Sequence, residues 1–263
     1  MNGAGNDFVV IDGRDRLIQL NANQIQAICD RSNGIGCDQL IILEKTDAKA
    51  DIRMRIHNAD GGEVEACGNA ARCIGRFVID EKGSRSATIE TMAGLLTAKK
   101  VTDGILIDMG PVYLEWQDIP LSEAMDTLSL NITEGPLSNP VAVGIGNPHA
   151  IFFVDDLTQI ELEKIGPILE FHHFYPNRTN VSVAQILSRE KIRLQTWERG
   201  AGMTQACGTG ACATLVAAVR RELTERKAIV ELNGGNLDIE WHANNHVFMS
   251  GPTEVNQSGI WTV

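Results

Sequence analysis

Residues 51–71, DIRMRIHNADGGEVEACGNAA, lie over residues 191–211, KIRLQTWERGAGMTQACGTGA, at an offset of 140 without a gap. Ile52 meets Ile192, Arg53 meets Arg193, Gly62 meets Gly202, and Ala66-Cys67-Gly68 meets Ala206-Cys207-Gly208. At offset 141, GNDFVVID (5–12) lies over GNPHAIFF (146–153), and LIDMGP (106–111) over VFMSGP (247–252). A chain patterned twice in this way must build one supersecondary plan twice. The shared order is a Gly-Asn strand, an Arg-bearing strand, a Cys-Gly helix, a hairpin and a Gly-Pro end. Each copy spans about 110–130 residues, the size of a domain.

The predicted fold class is α+β, with two similar domains related by a pseudo-twofold axis. Each domain is a β-barrel or strand-rich sheet wrapped around one central helix. The first covers residues 1–111 and the second 112–252, with the join running through EWQDIPLSEAMDTLSLNITEGPLSNP (115–140). Strands are expected at 7–12, 39–43, 51–56, 87–91, 105–109, 141–145, 150–154, 192–197, 228–232, 237–241 and 246–250, several of which alternate apolar and polar residues. Helices are expected at 23–31, 68–81, 158–172 and 208–223. Hairpin turns are expected in TMAGLL (91–96) and LNGGNL (232–237), where Asn-Gly and Gly-Gly suit tight turns.

The chain has 263 residues and a formal net charge of −11, so it carries no basic footprint for nucleic acid and is a poor match for an acidic membrane surface. No apolar run approaches the ~18 residues of a membrane span. The N-terminus MNGAGNDFVVIDGRD has no signal-like pattern, which points to the cytoplasm. Six cysteines are too few for a disulfide scaffold, and in a reducing compartment most are expected as free thiols. Their spacing lacks C-x-x-C and matches no ordinary zinc pattern, so no metal site is expected. GAGNDF and GIGNPH lack the third glycine of a dinucleotide fingerprint.

Cys67 and Cys207 each follow a Gly-containing loop and precede a helical run, which places both at helix N-termini. Backbone N–H groups there lack intrahelical partners, and the macrodipole favours negative charge. A thiol so placed becomes more acidic, and the same N–H groups can bind a carboxylate. Two such thiols on opposite faces of one tetrahedral carbon could invert it, one removing a proton and the other delivering one. Cys73 and Cys212 do not coincide in the repeat and read as helix packing. Cys29 and Cys37 read as core or incidental. A thiol–disulfide redox protein and a binding module with inert cysteines are the rival classes.

Together GNDFVVID, GIGCDQ, NADGGEVEACGNAARC, GNPHAIFFV, RTNVSV and ERGAGMTQACGTGA resemble the diaminopimelate epimerase family, in the family's order and nearly end to end. The resemblance implies a cofactor-independent enzyme interconverting L,L- and meso-diaminopimelate in the synthesis of lysine and peptidoglycan precursors. Cys67 and Cys207 would be the two bases, with His149 and Glu198 beside the thiols. Asn6, Gln39, Asn58, Asn147, Asn180, Glu198 and Arg199 would line the substrate pocket. Gly68 and Asn69, with Gly208 and Thr209, would add helix-end N–H groups and side-chain contacts. It also implies that residues 253–263 return to the first domain. A homodimer is compatible with this reading. Chemistry agrees with these types: a substrate with two amino-acid ends needs fixed donors and acceptors, and Arg199 can grip a carboxylate with two parallel bonds. Three positions depart from the family's habit: Asn2 for His, Met203 for Glu and Gly62 for Ser. The chain also opens almost on the first motif, so a shortened leading strand is expected. A proline or hydroxyproline racemase is the enzymatic alternative.

Overall fold

The computed structural model describes residues 1–47, 49–64 and 67–260. Ala66 of the first cysteine motif and residues 261–263 of the C-terminal segment lie outside the described residues. The chain divides into two compact units, one made of Met1–Asp108 with Ser250–Val263 and the other of Met109–Met249.

In the first unit the elements are β1 (Asn2–Gly3), β2 (Asn6–Asp12), α1 (Ala22–Cys29), β3 (Gln39–Glu44), β4 (Ile52–Asn58), β5 (Glu63–Val64), α2 (Gly68–Lys82), β6 (Ser86–Thr91), β7 (Gly94–Val101) and β8 (Gly104–Pro111). The strands follow the order β1-β2-β3-β4-β6-β7-β8, with β5 on β4. From the C-terminal segment, Glu254 exchanges two backbone hydrogen bonds with Asn2, at 2.9 and 2.8 Å. Helix α2 packs on β1, β6 and β7, and buries Gly68 through Gly75 together with Val78 and Ile79. It ends at Gly83 in the left-handed region, the usual helix stop.

In the second unit the elements are β9 (Thr133–Glu134), β10 (Leu137–Ser138), β11 (Val141–Gly144), β12 (Pro148–Phe153), α3 (Leu162–Glu170), β13 (Asn180–Ser188), β14 (Lys191–Glu198), β15 (Gly202–Met203), α4 (Gly208–Arg220), β16 (Lys227–Leu232), β17 (Gly235–Trp241) and β18 (His246–Gly251). The strands follow the order β11-β12-β13-β14-β16-β17-β18, with β15 on β14. Helix α4 touches β11, β12, β13, β14, β16 and β17, so the sheet wraps it. Its run GACATLVAA is buried throughout, which small residues permit at close helix–sheet approach.

The sequence repeat is a repeat of strand register. β2 pairs parallel with β3 through Phe8 and Gln39, and β12 pairs parallel with β13 through His149 and Asn180, both residues advanced by 141. β4 meets β6 at Ile52–Ile89 and Arg53–Glu90, and β14 meets β16 at Ile192–Val230 and Arg193–Glu231. The two Gly-Asn turns match as well, since Gly5 (φ 87°) and Gly146 (φ 75°) both hold the left-handed backbone that aims the following Asn.

The structure differs from the sequence expectation in several places, beginning with the two-residue strands β1, β5, β9, β10 and β15, which were not expected. Strand β13 was not expected: only Val181-Ser182-Val183 alternates, and the strand lies between β12 and β14 with α3 and α4 packed against it. Burial on two faces removes the alternation a half-buried strand shows. Strand β7 was expected only as the start of a hairpin. It is mostly exposed and carries one buried residue, Ala98. The helix expected at 158–172 is a short 3-10 turn, Leu157–Gln159, capped by the Asp156 carboxylate, followed by α3. In both hairpins the loop is two residues long, and the positive φ falls on the glycine after it, Gly94 and Gly235, rather than within it.

Cys73 and Cys212 are fully buried on α2 and α4. Cys29 and Cys37 share a small core with Ile25, Ile28 and Leu40, their sulfurs 3.4 Å apart. All six cysteines are thiols. Among the described residues no helix is long and apolar enough to cross a membrane, and no group of three or more His, Cys, Asp or Glu could hold a metal ion.

Candidate active site

Each unit gathers its candidate residues at the same three places: the Gly-Asn turn, the paired ends of two strands, and the first turn of the central helix. In the first unit, Asn6 opens β2, Gln39 and Asn58 face each other across β3 and β4, and Gly68 and Asn69 begin α2. Cys67 is the N-cap of α2 with extended backbone (φ −144°, ψ 116°), and it is half-buried. Gln39 Nε2 donates to Asn58 Oδ1 at 2.9 Å, a bond that does not use the Gln39 oxygen or the Asn58 nitrogen. Asn69 Nδ2 donates to Asn6 Oδ1, and Arg72 Nη1 donates to Asn69 Oδ1 at 2.8 Å.

Asn2 and Asp7 brace this turn. Asn2 Oδ1 accepts from Gly5 N at 3.1 Å, and Asn2 Nδ2 donates to Asp7 Oδ1 at 2.9 Å. That bond, with the neighbouring Arg31 guanidinium, holds the Asp7 carboxyl below its ordinary range. The departure at Asn2 is therefore a built contact.

In the second unit the paired strand ends are Asn180 and Glu198, which stand 141 and 140 residues beyond Gln39 and Asn58. Asn180 is buried, donates to the Pro148 carbonyl at 2.9 Å and accepts from Arg199 N at 3.0 Å. Its side chain thus fixes the backbone that carries Arg199. The Arg199 guanidinium is exposed and donates through Nη1 to the Asn177 carbonyl at 3.1 Å. Glu198 Oε1 accepts from the Thr204 hydroxyl.

Cys207 is the N-cap of α4, 3% exposed, and its sulfur accepts from Gly210 N at 3.3 Å and lies 3.6 Å from the Thr209 hydroxyl. Gly210 leaves little room for a side chain: a Cβ there would stand 3.1 Å from both Cys207 Sγ and Thr196 Oγ1, so either must give way slightly. The helix end was expected to make the thiol acidic. Instead burial pushes the Cys207 thiol well above its ordinary value, and the Glu198 carboxylate pushes it the same way. The Thr209 hydroxyl and Gly210 N–H pull it down by less. Burial also raises the Glu198 carboxyl, against the hydrogen bonds from Thr204 and Cys207. Both groups therefore resist ionisation, and a hydrogen bond joins them.

His149 is 0% exposed, and its Nε2 lies 2.9 Å from Asn147 Oδ1. Burial and the charge of Arg199 depress its pKa to about 3, so the imidazole is neutral at ordinary pH. Neutral, it carries its proton on Nε2 to meet the Asn147 oxygen. Asn147 Nδ2 points to the Thr209 hydroxyl at 3.4 Å.

Two residues that shape the site escaped the sequence reading. Arg72, fully buried on α2, stands opposite Cys212 in the repeat and has no counterpart there to mark it. Glu170, at the end of α3 and 3% exposed, accepts from Trp197 Nε1 at 2.7 Å and from Gly200 N at 3.0 Å, and pairs with Arg178 at 3.3 Å. It therefore grips the chain on both sides of Glu198-Arg199. No motif signals it, because Trp197 and Gly200, the partners on the site segment, are 27 and 30 residues away.

The sequence profile of the family described as diaminopimelate epimerase matches residues 1–115 and 141–255. The diaminopimelate epimerase of Rhodospirillum centenum is 50% identical over 261 residues, covering 98% of this chain and 90% of the relative. That of Acidiphilium cryptum is 51% identical over 253 residues, covering 96% and 91%. Among solved structures, a hydroxyproline epimerase from Agrobacterium vitis aligns with a TM-score of 0.66 at 14% identity, covering 95% of this chain and 87% of that one. A phenazine biosynthesis protein of the PhzF family from Bacillus anthracis aligns with a TM-score of 0.63 at 17% identity, covering 95% and 91%. These two likenesses concern the fold.

Proposed function

The chain belongs to the diaminopimelate epimerase family, and on that premise we propose that it interconverts L,L- and meso-diaminopimelate without a cofactor, with Cys67 and Cys207 as the paired bases. The observation that carries this reading is the duplicated Cys-Gly start of the central helix, built twice on the same strand register. Inverting a stereocentre is a near-symmetric operation, and a duplicated thiol is the symmetric tool for it. We take the two compact units as the two epimerase domains.

In the proposed reaction one cysteine thiolate takes the Cα proton and becomes a thiol. The electron pair left on carbon delocalises into the adjacent carboxylate, and the other cysteine delivers its proton to the opposite face. Each turnover exchanges the thiol and thiolate roles, so one acid–base pair serves both directions. The raised Cys207 pKa supports its resting state as the thiol, ready to donate. Glu198, bonded to it, is the group that would take up its proton and return it to the thiolate state. The first-turn N–H groups of Gly68 and Asn69, and of Gly208 and Thr209, suit the substrate carboxylate as its charge grows.

Asn6, Gln39, Asn58, Asn147 and Arg199 are assigned to the substrate's polar ends. Asn180 is assigned to holding Arg199, and His149 to holding Asn147. The reading places the enzyme in a reducing compartment, the cytoplasm, because both bases act as reduced thiols. It includes a homodimer, to be tested by light scattering. Its role is in lysine and peptidoglycan-precursor synthesis.

The test is proton NMR on L,L-diaminopimelate in D2O with reductant and no added cofactor. Loss of the α-proton signal with appearance of the meso isomer is the expected result. No exchange with fully reduced thiols would refute the assignment, and exchange on proline or hydroxyproline instead would establish the racemase alternative.

A further inference from the structure

The two units fix the equivalent amide by different means, and turn opposite ends of it toward the first turn of the central helix. Asn6 and Asn147 occupy equivalent places, each following a left-handed glycine at the head of the first long strand. In the second unit His149 Nε2–H takes the Asn147 oxygen, and the Asn147 nitrogen points to the Thr209 hydroxyl at 3.4 Å. The residue equivalent to His149 in the first unit is Phe8, which cannot do this. There the Asn6 oxygen is taken by Asn69 Nδ2, and Asn69 in turn is fixed by Arg72. The second unit has Thr209 in place of Asn69 and Cys212 in place of Arg72. Each unit thus carries one orienting group, an imidazole in one and a buried guanidinium in the other.

The direction of this relay follows from donor chemistry. A side-chain amide is nearly symmetric in shape, and its oxygen and nitrogen change places by a half-turn unless a partner decides. A guanidinium has donors and no acceptor, so it can only face the Asn69 oxygen. Asn69 must then aim its nitrogen the other way, at Asn6. Asn6 accepts with its oxygen and is left presenting N–H. One cation fixes two amides in sequence. Arg72 is fully buried, and a charge is costly to bury unless its bonds repay it.

We propose that Arg72 is a positioning residue for substrate binding: through Asn69 it holds the Asn6 amide with its N–H end toward a substrate carboxylate. Arg72 itself touches no substrate. The proposal rests on the reading of Asn6 as a substrate contact. With Arg72 lost, Asn69 and Asn6 are free to turn, and an Asn6 oxygen facing a carboxylate repels it. The loss of one charge-directed hydrogen bond corresponds to about tenfold or more in affinity.

The experiment compares Arg72→Lys, Arg72→Gln and Arg72→Met by diaminopimelate KM and kcat, with circular dichroism and thermal melting to confirm the fold. Lysine keeps a donor-only head, so Arg72→Lys is expected near the wild-type KM, within about threefold. Arg72→Gln can turn either end to Asn69 and is expected to raise KM about tenfold or more while kcat falls less. Asn69→Asp keeps the acceptor for Arg72 but has no N–H for Asn6, and is expected to raise KM similarly. The Arg72→Gln/Asn69→Asp double variant should add little to either.

An unchanged KM in folded Arg72→Gln overturns the proposal. So does a KM raised equally by Lys and Gln, which would mark Arg72 as merely structural. If none of the Arg72 variants folds, the wild type decides. A slowly exchanging side-chain amide pair, absent from Asn69→Asp, supports the relay, and fast exchange at Asn69 overturns it. Failure of the epimerase reading looks different, because the wild type would then show no turnover at all.

Discussion

Replacing Glu170 by Ala tests whether a buried carboxylate outside any motif holds the site together. Glu170 accepts from the Trp197 indole N–H at 2.7 Å and from Gly200 N at 3.0 Å, while Arg178 pairs with it from a half-exposed position. A hydrogen bond to a charged group contributes about 1.5–3 kcal/mol, and a buried donor left without a partner costs a similar amount. The Arg178 pair reaches solvent and adds little. Two bonds from part-buried donors therefore make Glu170→Ala destabilising by about 3 kcal/mol. Glu170→Gln keeps one acceptor oxygen and should lose about 1–2 kcal/mol. Urea unfolding followed by tryptophan fluorescence measures both, since Trp197 reports directly. The same segment carries Glu198 and Arg199, so KM should rise in Glu170→Gln under conditions where the protein is fully folded. A Glu170→Ala loss below about 1 kcal/mol would refute the claim that this carboxylate is the anchor.

Cys67→Ser and Cys207→Ser should each reduce epimerisation by about 10²–10⁴-fold with a native circular dichroism spectrum, measured by the same α-proton exchange. Gly210→Ala should stay folded, because the gain in helix propensity of about 1 kcal/mol offsets part of the crowding. It should still lower kcat about tenfold or more by displacing the Cys207 sulfur, 3.1 Å from the new Cβ. Thr204→Val removes the hydroxyl that lowers the Glu198 pKa. The Glu198 carboxyl then rises further, and the acid limb of the kcat profile should move to higher pH. His149 has a folded pKa of about 3 against an ordinary 6.5, so below pH 6.5 the unfolded chain binds a proton that the folded protein refuses. The stability it contributes is complete above pH 6.5 and falls as pH drops toward 3, by about 1.4 kcal/mol per pH unit. His149→Gln should flatten that slope in urea titrations between pH 6 and 4, and an unchanged slope would refute the neutral buried imidazole.

The sequence by itself determined the repeat and much that follows from it. The offset of 140–141 residues predicts helices at 68–81 and 208–223, and the structure has α2 at Gly68–Lys82 and α4 at Gly208–Arg220. It also singled out the two cysteines that cap those helices. Local pattern was enough there, because glycine turns, small helix residues and alternating strands act over a few neighbours. The resemblance to the family rested on the same segments. Strand β13 was missed, since burial on two faces leaves only the short Val181-Ser182-Val183 alternation to read.

Only the tertiary structure decided the electrostatics. The helix N-terminus alone argued for an acidic thiol, but burial and the Glu198 carboxylate outweigh it at Cys207. A helix end is a partial charge, whereas removal from water acts on the full charge of a thiolate. Arg72 reads in sequence as one more polar residue in a helix, and Glu170 as one more acid at a helix end. Their work depends on what lies beside them: Asn69 three residues away on the same helix face, and Trp197 and Gly200 brought to Glu170 by strand pairing. Hydrogen-bond direction and the removal of charge from water are set by neighbours in space, and those neighbours exist only once the chain has folded.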